Sequence, residues 1–344
     1  MSGPIVINAR AAIRREISGV ERWAREMVER LPALRPDAYL VAAPHPRLAH
    51  QPGHAWEQLV LPLRAARAGA RVIFSPANVA PLAWPRNVVV LHDAVLLSHP
   101  EWFSLPYRAW HGPLLYGLAR TAHRVIVPSR FSAHELADHT GIGLDRIDIV
   151  PGGVDERFSA SVDPQPAQRA LGLQRPYVLT VGGAGLRKNL AVLEPLAAAL
   201  HARGIDLAAA GTRRSHHPHS DDVGGIRGLG YVAEELLPSL YAGARAFVLP
   251  SLHEGFGLPC IEAMRSGVPV AASDRGALPE TCGDAARLFD PTDPAAVTDA
   301  VLPLVEDDAE RNRVRAAGLA HAAGLTWERA AHAVDGILAG AAQR

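Results

Sequence analysis

The chain has 344 residues, more than a single hydrophobic core usually organises, so two ordinary α/β domains are expected and a small disulfide-held module is excluded. Hydrophobic residues make up 48% and charged residues 20%, mean hydropathy is +0.04, and no apolar run approaches the ~18–20 residues of a membrane span. The formal charge is zero, 35 basic against 35 acidic residues, and two cysteines, Cys260 and Cys282, are too few for a disulfide framework.

Met1 to Asn8 lacks the basic start and long apolar run of a secretory signal, so a cytoplasmic location is expected. Short β-branched runs then alternate with helical patterns, the signature of βαβ units and parallel sheets. The first-half strands are expected at Ile5 to Asn8, Tyr39 to Ala43, Val72 to Phe74, Val88 to His92, Val125 to Val127 and Ile147 to Val150. Helices are expected at Val20 to Leu31, Trp56 to Ala68, Tyr107 to Ala122 and Phe131 to His139. Residues 1 to 130 carry 16 Arg against 8 acidic residues, and five of the six tryptophans (Trp23, Trp56, Trp84, Trp102, Trp110) fall there. Arginine with amphipathic aromatics suits an anionic membrane surface, while solvated Arg and core Trp is the plainer reading. At the end of the fourth strand, His92-Asp93 stands where open α/β sheets bind ligands. Asp93 either orients the His92 ring or caps the following segment.

After Val150 the pattern dissolves into Pro151-Gly152-Gly153-Val154-Asp155 and a polar stretch, Ser159 to Gln168, expected to be the linker. A second alternation follows, with strands at Tyr177 to Val181, Leu207 to Ala210, Ile226 to Leu229, Ala246 to Leu249, Val270 to Ala272 and Ala286 to Phe289. Its helices are expected at Leu190 to Ala202, Glu234 to Ala242 and Leu258 to Ser266, and the chain is helical from Asp293 onward, ending in an amphipathic segment from Trp327 to Ala341.

Two loops in this half carry chemistry. Val181-Gly182-Gly183-Ala184-Gly185-Leu186-Arg187-Lys188-Asn189 puts a guanidinium fork beside an ammonium, a combination that neutralises a diphosphate. Lys188 is the sole lysine among 35 basic residues, in a chain whose Arg bias reflects base composition, so its survival here is notable. Neither a P-loop nor a Gly-x-Gly-x-x-Gly dinucleotide pattern is present. The second loop, His253-Glu254-Gly255-Phe256-Gly257-Leu258-Pro259, follows a strand and opens a helix. Its glycines allow close backbone approach and its free amides suit an anion. Glu254 before the helix and Glu262 inside it are placed to accept hydroxyl hydrogens from two parts of a ligand. His216-His217-Pro218-His219 with Asp221-Asp222 superficially looks like a metal tract, but no helical or hairpin spacing converges its ligands, and no metal is expected there.

The ordered set of Glu254-x7-Glu262 with its internal Gly-Phe-Gly-Leu-Pro, Arg187-Lys188-Asn189, His92-Asp93 and Pro151-Gly152-Gly153-Val154-Asp155 resembles the retaining glycosyltransferases of family 4 over essentially the whole chain. The stretch from His92 through Pro100-Glu101-Trp102-Phe103-Ser104 to Ser129-Arg130-Phe131-Ser132 is similar to bacterial mannosyl- and rhamnosyltransferases of surface-polysaccharide assembly. The resemblance implies the GT-B architecture: an α/β fold of two doubly wound, Rossmann-like parallel-sheet domains with a cleft between them. The expected division is 1–158 for an acceptor-side domain and 159–325 for the donor domain, with a C-terminal helix, 326–344, packing back on the first.

It also implies roles. Arg187 and Lys188 would hold the donor diphosphate, helped by backbone around Gly182, Gly183, Gly255, Phe256, Gly257 and Leu258. Glu262 would take the ribose, Glu254 the donor sugar, and His92 would lie beside the transferred sugar, with Tyr231 and Val232 near the base. Ser18, Gly19, Arg22 and Asp93 fall on the acceptor side. The family retains anomeric configuration and needs neither metal nor cofactor, so the expected cosubstrate is a nucleotide sugar, GDP-linked ahead of UDP- or dTDP-linked. The expected acceptor is a lipid-linked oligosaccharide or polysaccharide at the inner face of the membrane, with peripheral contact through the basic region and no nucleic-acid partner. The alternatives are a nucleotide-sugar epimerase of the same architecture and a non-catalytic sugar-nucleotide-binding protein. One departure stands out: Gly182-Gly183 occupies the position where many members have Gly-Arg, so either Arg187 serves alone or a neighbouring arginine substitutes.

Overall fold

A computed structural model describes residues 3–14, 17–49, 53–183, 185–211, 222–223 and 225–343. The chain divides into two compact units, Met1–Gly153 with Trp327–Arg344, and Val154–Thr326. No described helix is long and apolar enough to cross a membrane.

The first unit is built on six parallel strands: β1 (Ile5–Asn8), β2 (Tyr39–Ala42), β3 (Val72–Ser75), β4 (Asn87–Val90), β5 (Arg124–Val127) and β6 (Ile147–Ile149), in the order β2-β1-β3-β4-β5-β6. The order reverses at β1, which pairs Ile5 with Tyr39 on one side and with Val72 on the other. Strands β1, β3 and β4 are buried along their whole length. This is why they read as continuous apolar runs rather than alternating ones. The C-terminal helix Trp327–Gln343 belongs to this unit and packs on the Gly19–Leu34 helix with Trp327, Val334 and Leu338 fully buried. It is fastened at its rim by Asp335, which accepts from Arg35 at 2.6 Å and from the Tyr39 hydroxyl.

The second unit holds β7 (Tyr177–Val181), β8 (Asp206–Ala210), β9 (Asp222–Val223), β10 (Ile226–Gly230), β11 (Ala246–Leu249), β12 (Val270–Ser273) and β13 (Ala286–Phe289), in the order β13-β12-β11-β7-β8-β10-β9. All neighbours are parallel except β9, a two-residue edge strand antiparallel to β10 that sequence pattern did not reveal. The order again reverses, at β7, between β11 and β8.

The first part of the expected linker, Pro151 to Asp155, spans the division between the units, but the second part, Ser159 to Gln168, belongs to the second unit. The chain enters the second unit at Val154, whose amide donates to Leu325 at 3.0 Å and which bridges Thr326. Phe158 and Ala167 are fully buried in that unit's core, and Gln165–Leu171 is helical. The polar, proline-containing composition of Ser159 to Gln168 thus covers core residues, and the division falls five residues ahead of residue 158. Three expected helices also begin late or break, each at a proline. Leu190 to Ala202 resolves into a 3-10 turn (Leu190–Leu193) and the helix Glu194–His201. Glu234 to Ala242 starts only at Leu237, and Trp56 to Ala68 passes through a wider π turn before the helix Leu61–Arg67. Pro195, Pro238 and Pro62 lack the amide that continues a helix but suit its first turn, so each resets the start.

Candidate functional site

The carboxyl edge of the second sheet gathers three loops. Leaving β7, the chain runs Gly182-Gly183 and then a short turn, Leu186–Lys188, closed by Asn189 at φ +52°, the sole non-glycine with positive φ among the described residues. Asparagine tolerates this left-handed backbone through local hydrogen bonding. Here its amide ties the turn to Pro291 O at 2.7 Å and to Pro250 O at 3.3 Å. Leaving β11, Leu252 N donates to Arg187 O at 2.8 Å, so the two loops are joined through their backbones. Leaving β12, Gly276 at φ +62° passes so close to Glu254 that a Cβ would lie 2.7 Å from its carbonyl oxygen, and Ala277 N donates to that oxygen at 2.9 Å.

These three strand-end loops fix Glu254 beside both cations. Lys188 Nζ donates to Glu254 Oε1 at 2.6 Å. Arg187 Nη1 donates to Glu254 Oε2 at 3.1 Å and to His253 O at 2.9 Å. Glu254 is 7% exposed. Burial pushes its carboxyl up, but the charges of Lys188 and Arg187 and hydrogen bonding outweigh this and hold it at about 2. It is therefore a carboxylate at any physiological pH. Lys188 lies along the backbone at Gly182, whose Cβ would meet its Cδ and Cε at 3.1 Å. A second glycine contact explains Gly211: a Cβ there would stand 2.0 Å from Gly182 O.

The helix Leu258–Arg265 opens behind this cluster with Gly257 at φ +104° as its cap. A side chain at Gly257 would be strained and would approach Leu278 to 2.5 Å. Glu262, one turn into the helix, is 5% exposed and accepts from the buried Tyr241 hydroxyl at 2.9 Å. Tyr241 was missed by sequence reading, since a tyrosine in a short apolar helix carries no motif. Gly255, Phe256 and Leu258 line the same loop, Phe256 and Leu258 partly buried on the core. The expected base pair of residues is split: Tyr231 is 49% exposed, but the Val232 side chain is 6% exposed and belongs to the core, leaving only its backbone for a ligand. Among the described residues no group of three or more His, Cys, Asp or Glu is arranged to hold a metal ion. The tract His216, His217 and His219 lies outside the described residues.

In the first unit, His92 lies two residues past β4. Its backbone amide donates to Asn78 Oδ1 at 2.8 Å, its Nε2 stands 3.1 Å from Pro76 O, and its ring meets Trp23 edge to face at 5.7 Å. A carbonyl only accepts, so Nε2 carries the proton. Burial pushes the imidazole below its usual value, and the ring is neutral with Nδ1 as an acceptor. Of the two roles open to Asp93, the structure shows capping: Oδ1 accepts from Val95 N at 3.3 Å. Ser18 and Gly19 are exposed at the start of the Gly19–Leu34 helix, where Ser18 N donates to Glu21 Oε2 at 3.1 Å. Arg22 is buried at 9% exposure. The regional tryptophan signal mostly reflects packing, since Trp23 and Trp56 are core residues and only Trp110, at 57%, is largely exposed among the five.

Comparison with known proteins bears on the whole chain. Residues 17–158 match the model of Glycosyltransferase Family 4, and residues 175–307 match that of Glycosyl transferases group 1. The O-antigen chain mannosyltransferase B of Escherichia coli is 32% identical over 284 residues, spanning 75% of this chain and 71% of that protein. The serotype-specific mannosyltransferase WbdA of Escherichia coli is 29% identical over 283 residues, but this chain spans only 34% of its length. Among solved structures, sucrose-phosphate synthase from Thermosynechococcus elongatus superposes with a TM-score of 0.76 over 98% of both chains at 19% identity, a likeness of fold. With paired Rossmann-like units of the GT-B class and this degree of sequence identity, the chain belongs to glycosyltransferase family 4.

Proposed function

We propose that the chain transfers a hexose, mannose or rhamnose favoured, from a nucleotide sugar to a lipid-linked oligosaccharide or polysaccharide. The observation that carries this reading is the convergence of Lys188 and Arg187 on Glu254 at the carboxyl edge of the β7–β13 sheet. Two cations held against one fixed carboxylate offer a leaving diphosphate preorganised charge, and such preorganisation is the largest single contribution to many transfer reactions. In this reading Arg187 and Lys188 neutralise the β-phosphate as the glycosidic bond to it breaks. Backbone at Gly182, Gly183, Gly257 and Leu258 lies along the diphosphate, Glu254 orients the donor sugar, and Glu262, steadied by Tyr241, takes the ribose hydroxyls. Tyr231 and the backbone of Val232 face the base. His92, neutral, accepts a hydroxyl of the transferred sugar at Nδ1, while Ser18, Gly19 and Arg22 serve the acceptor.

The acceptor hydroxyl forms its bond to the anomeric carbon on the face from which the phosphate departs, so the configuration is retained; the leaving phosphate receives the hydroxyl proton, and no metal ion takes part. The favoured donor is a GDP-sugar. The relatives' names, an O-antigen chain mannosyltransferase and a serotype-specific mannosyltransferase, support a mannosyl donor and a glycan acceptor. The excess of arginine in the first third supports peripheral contact with anionic lipid at the cytoplasmic face of a membrane. Thermal unfolding with GDP-, UDP- and dTDP-sugars tests the donor, because a bound nucleotide raises the midpoint by mass action. GDP-mannose is expected to give the largest shift, and NMR of the product to show the donor's own anomeric configuration. A shift from no nucleotide sugar, or inverted product, overturns the reading.

A further inference from the structure

The first unit carries a second chemical surface that the roles above leave unused. Five rings run in contact at the start of the Leu105–Thr121 helix. Phe103 and Tyr107 stack at 5.4 Å, Tyr107 and His111 at 3.9 Å, His111 meets His54 edge to face at 5.3 Å, and His54 lies 6.2 Å from Trp110. The spacing 103, 107, 111 places one ring per turn on one stripe. Within the array Tyr107 is 41% exposed, and Trp110, at one end, is 57% exposed.

The inner end of this array is anchored at the carboxyl edge of the β1–β6 sheet. Glu57 Oε1 accepts from Asn8, the last residue of β1, at 2.8 Å and pairs with Arg10 at 2.9 Å. Asn8 also donates to Ser75, the last residue of β3, at 3.4 Å. The two edges meet at the topological switch point, where open parallel sheets bind ligands. His54 and Glu57 are 9% and 2% exposed, yet His54 Nδ1 and Glu57 Oε2 have no hydrogen-bond partner among the described residues and face each other at 3.5 Å. Buried polar atoms without partners are uncommon and mark places where a ligand or water completes the set.

Charge decides what that ligand is. Arg10 is matched by Glu57, and Arg14, 2.6 Å from Glu21 Oε1, is matched by Glu21. Each of these two guanidiniums is thus already held by a carboxylate, which leaves little of their charge for a phosphate to neutralise. What the cluster offers is aromatic faces beside buried hydrogen-bonding groups, which is what a pyranose requires for its apolar C–H face and its hydroxyls.

Resting on the glycosyltransferase reading, we propose that the strip formed by Trp110, His54, His111 and Tyr107 is a subsite for a neutral hexose residue of the glycan acceptor. Trp110 stacks against a sugar ring, Tyr107, whose faces lie against Phe103 and His111, presents its exposed edge, and His54 with Glu57 receives a hydroxyl. The test is saturation-transfer NMR on the full chain with neutral probes, α-linked mannotetraose, maltotetraose and a rhamnose trisaccharide, alongside inorganic phosphate and phosphatidylglycerol vesicles. At least one neutral oligosaccharide is expected to bind, with affinity falling roughly three- to tenfold in Trp110→Ala and recovering in Trp110→Phe. The nucleotide-sugar thermal shift should be unchanged in both variants, which also shows that they fold. Absence of binding by every neutral probe, equal binding by Trp110→Ala, or an effect of Trp110→Ala confined to vesicles or phosphate overturns the subsite. None of these outcomes touches the donor shift, so failure of the subsite and failure of the glycosyltransferase reading are told apart.

Discussion

The carboxyl edges of the two sheets solve the problem of buried charge differently. At the β7–β13 edge, two cations converge on Glu254, one buried carboxylate. At the β1–β6 edge, Arg10 with Glu57 and Arg14 with Glu21 are matched one to one, and burial pushes the His92 imidazole below its usual value. The contrast runs against composition, because residues 1 to 130 carry twice as many arginines as acidic residues while the rest of the chain is acidic. Regional charge governs long-range attraction to a surface, but the ligand at each edge is chosen by the few groups within contact. Local excess of cation marks the place for an anion, and local balance the place for an uncharged partner.

Removing the excess should have the largest effect. Lys188→Ala is expected to lower kcat/KM for transfer by on the order of 100- to 1,000-fold, the usual loss on deleting one preorganised charge donor. Lys188→Arg should restore part of it, and steady-state assays with the preferred donor check both. Turnover within threefold of wild type in the Ala variant would place the diphosphate elsewhere and dissolve the contrast.

Gly276→Ala comes next. A Cβ at φ +62° and 2.7 Å from the Glu254 backbone cannot be relieved by a side-chain movement. Strain of about 1–3 kcal/mol is expected, seen as a lower unfolding midpoint together with weaker nucleotide-sugar binding. Loss of stability without loss of binding would show that the β12 loop does not position Glu254.

The pH dependence of stability separates the edges without any ligand. The Glu254 carboxyl is held at about 2, against 4.5 ordinarily, so the folded state favours its ionised form. Its stabilising contribution is fully present above about pH 4.5 and is lost as the pH falls towards 2. Denaturant unfolding of wild type and Glu254→Gln should therefore give a free-energy difference that is constant near neutrality and shrinks through that window. A difference independent of pH would mean that Glu254 is not the compensated carboxylate.

The smallest effect is expected from Tyr241→Phe, which deletes the hydrogen bond to Glu262 at 2.9 Å and keeps the ring. About 0.5–1.5 kcal/mol of stability is at stake, the net contribution of one hydrogen bond. Calorimetry should show weaker binding of the nucleotide with acceptor affinity unchanged, and equal weakening of both would argue for a global effect.

Much of this was readable beforehand where backbone and chemistry coincide. Strands buried on both faces must be apolar throughout, so β1, β3, β4, β11 and β12 declared themselves. The Arg187-Lys188 pair and Glu254 were visible because each follows a strand and carries glycine neighbours. Prolines, in contrast, misled the helix limits at Pro62, Pro195 and Pro238, since a proline at a first turn and a proline that breaks a helix look alike without their partners. The polar Ser159 to Gln168 stretch looked like a linker for a related reason: composition reports which atoms tolerate water, while the burial of Phe158 depends on a core assembled from distant strands.

The sequence by itself determined the alternation of strands and helices, the residue types at each strand end, and the family. These depend on local periodicity and on short spacings that survive without contacts. Tertiary structure alone decided that Glu254 meets both cations, that Asp93 caps a helix while His92 stays neutral, that Tyr241 steadies Glu262, and that five rings from two separated segments form one strip. Apart from Asp93, whose partner Val95 lies two residues on, these rest on partners brought together by strand order from up to 67 residues away, and a chain read residue by residue carries no record of which strand will lie beside which.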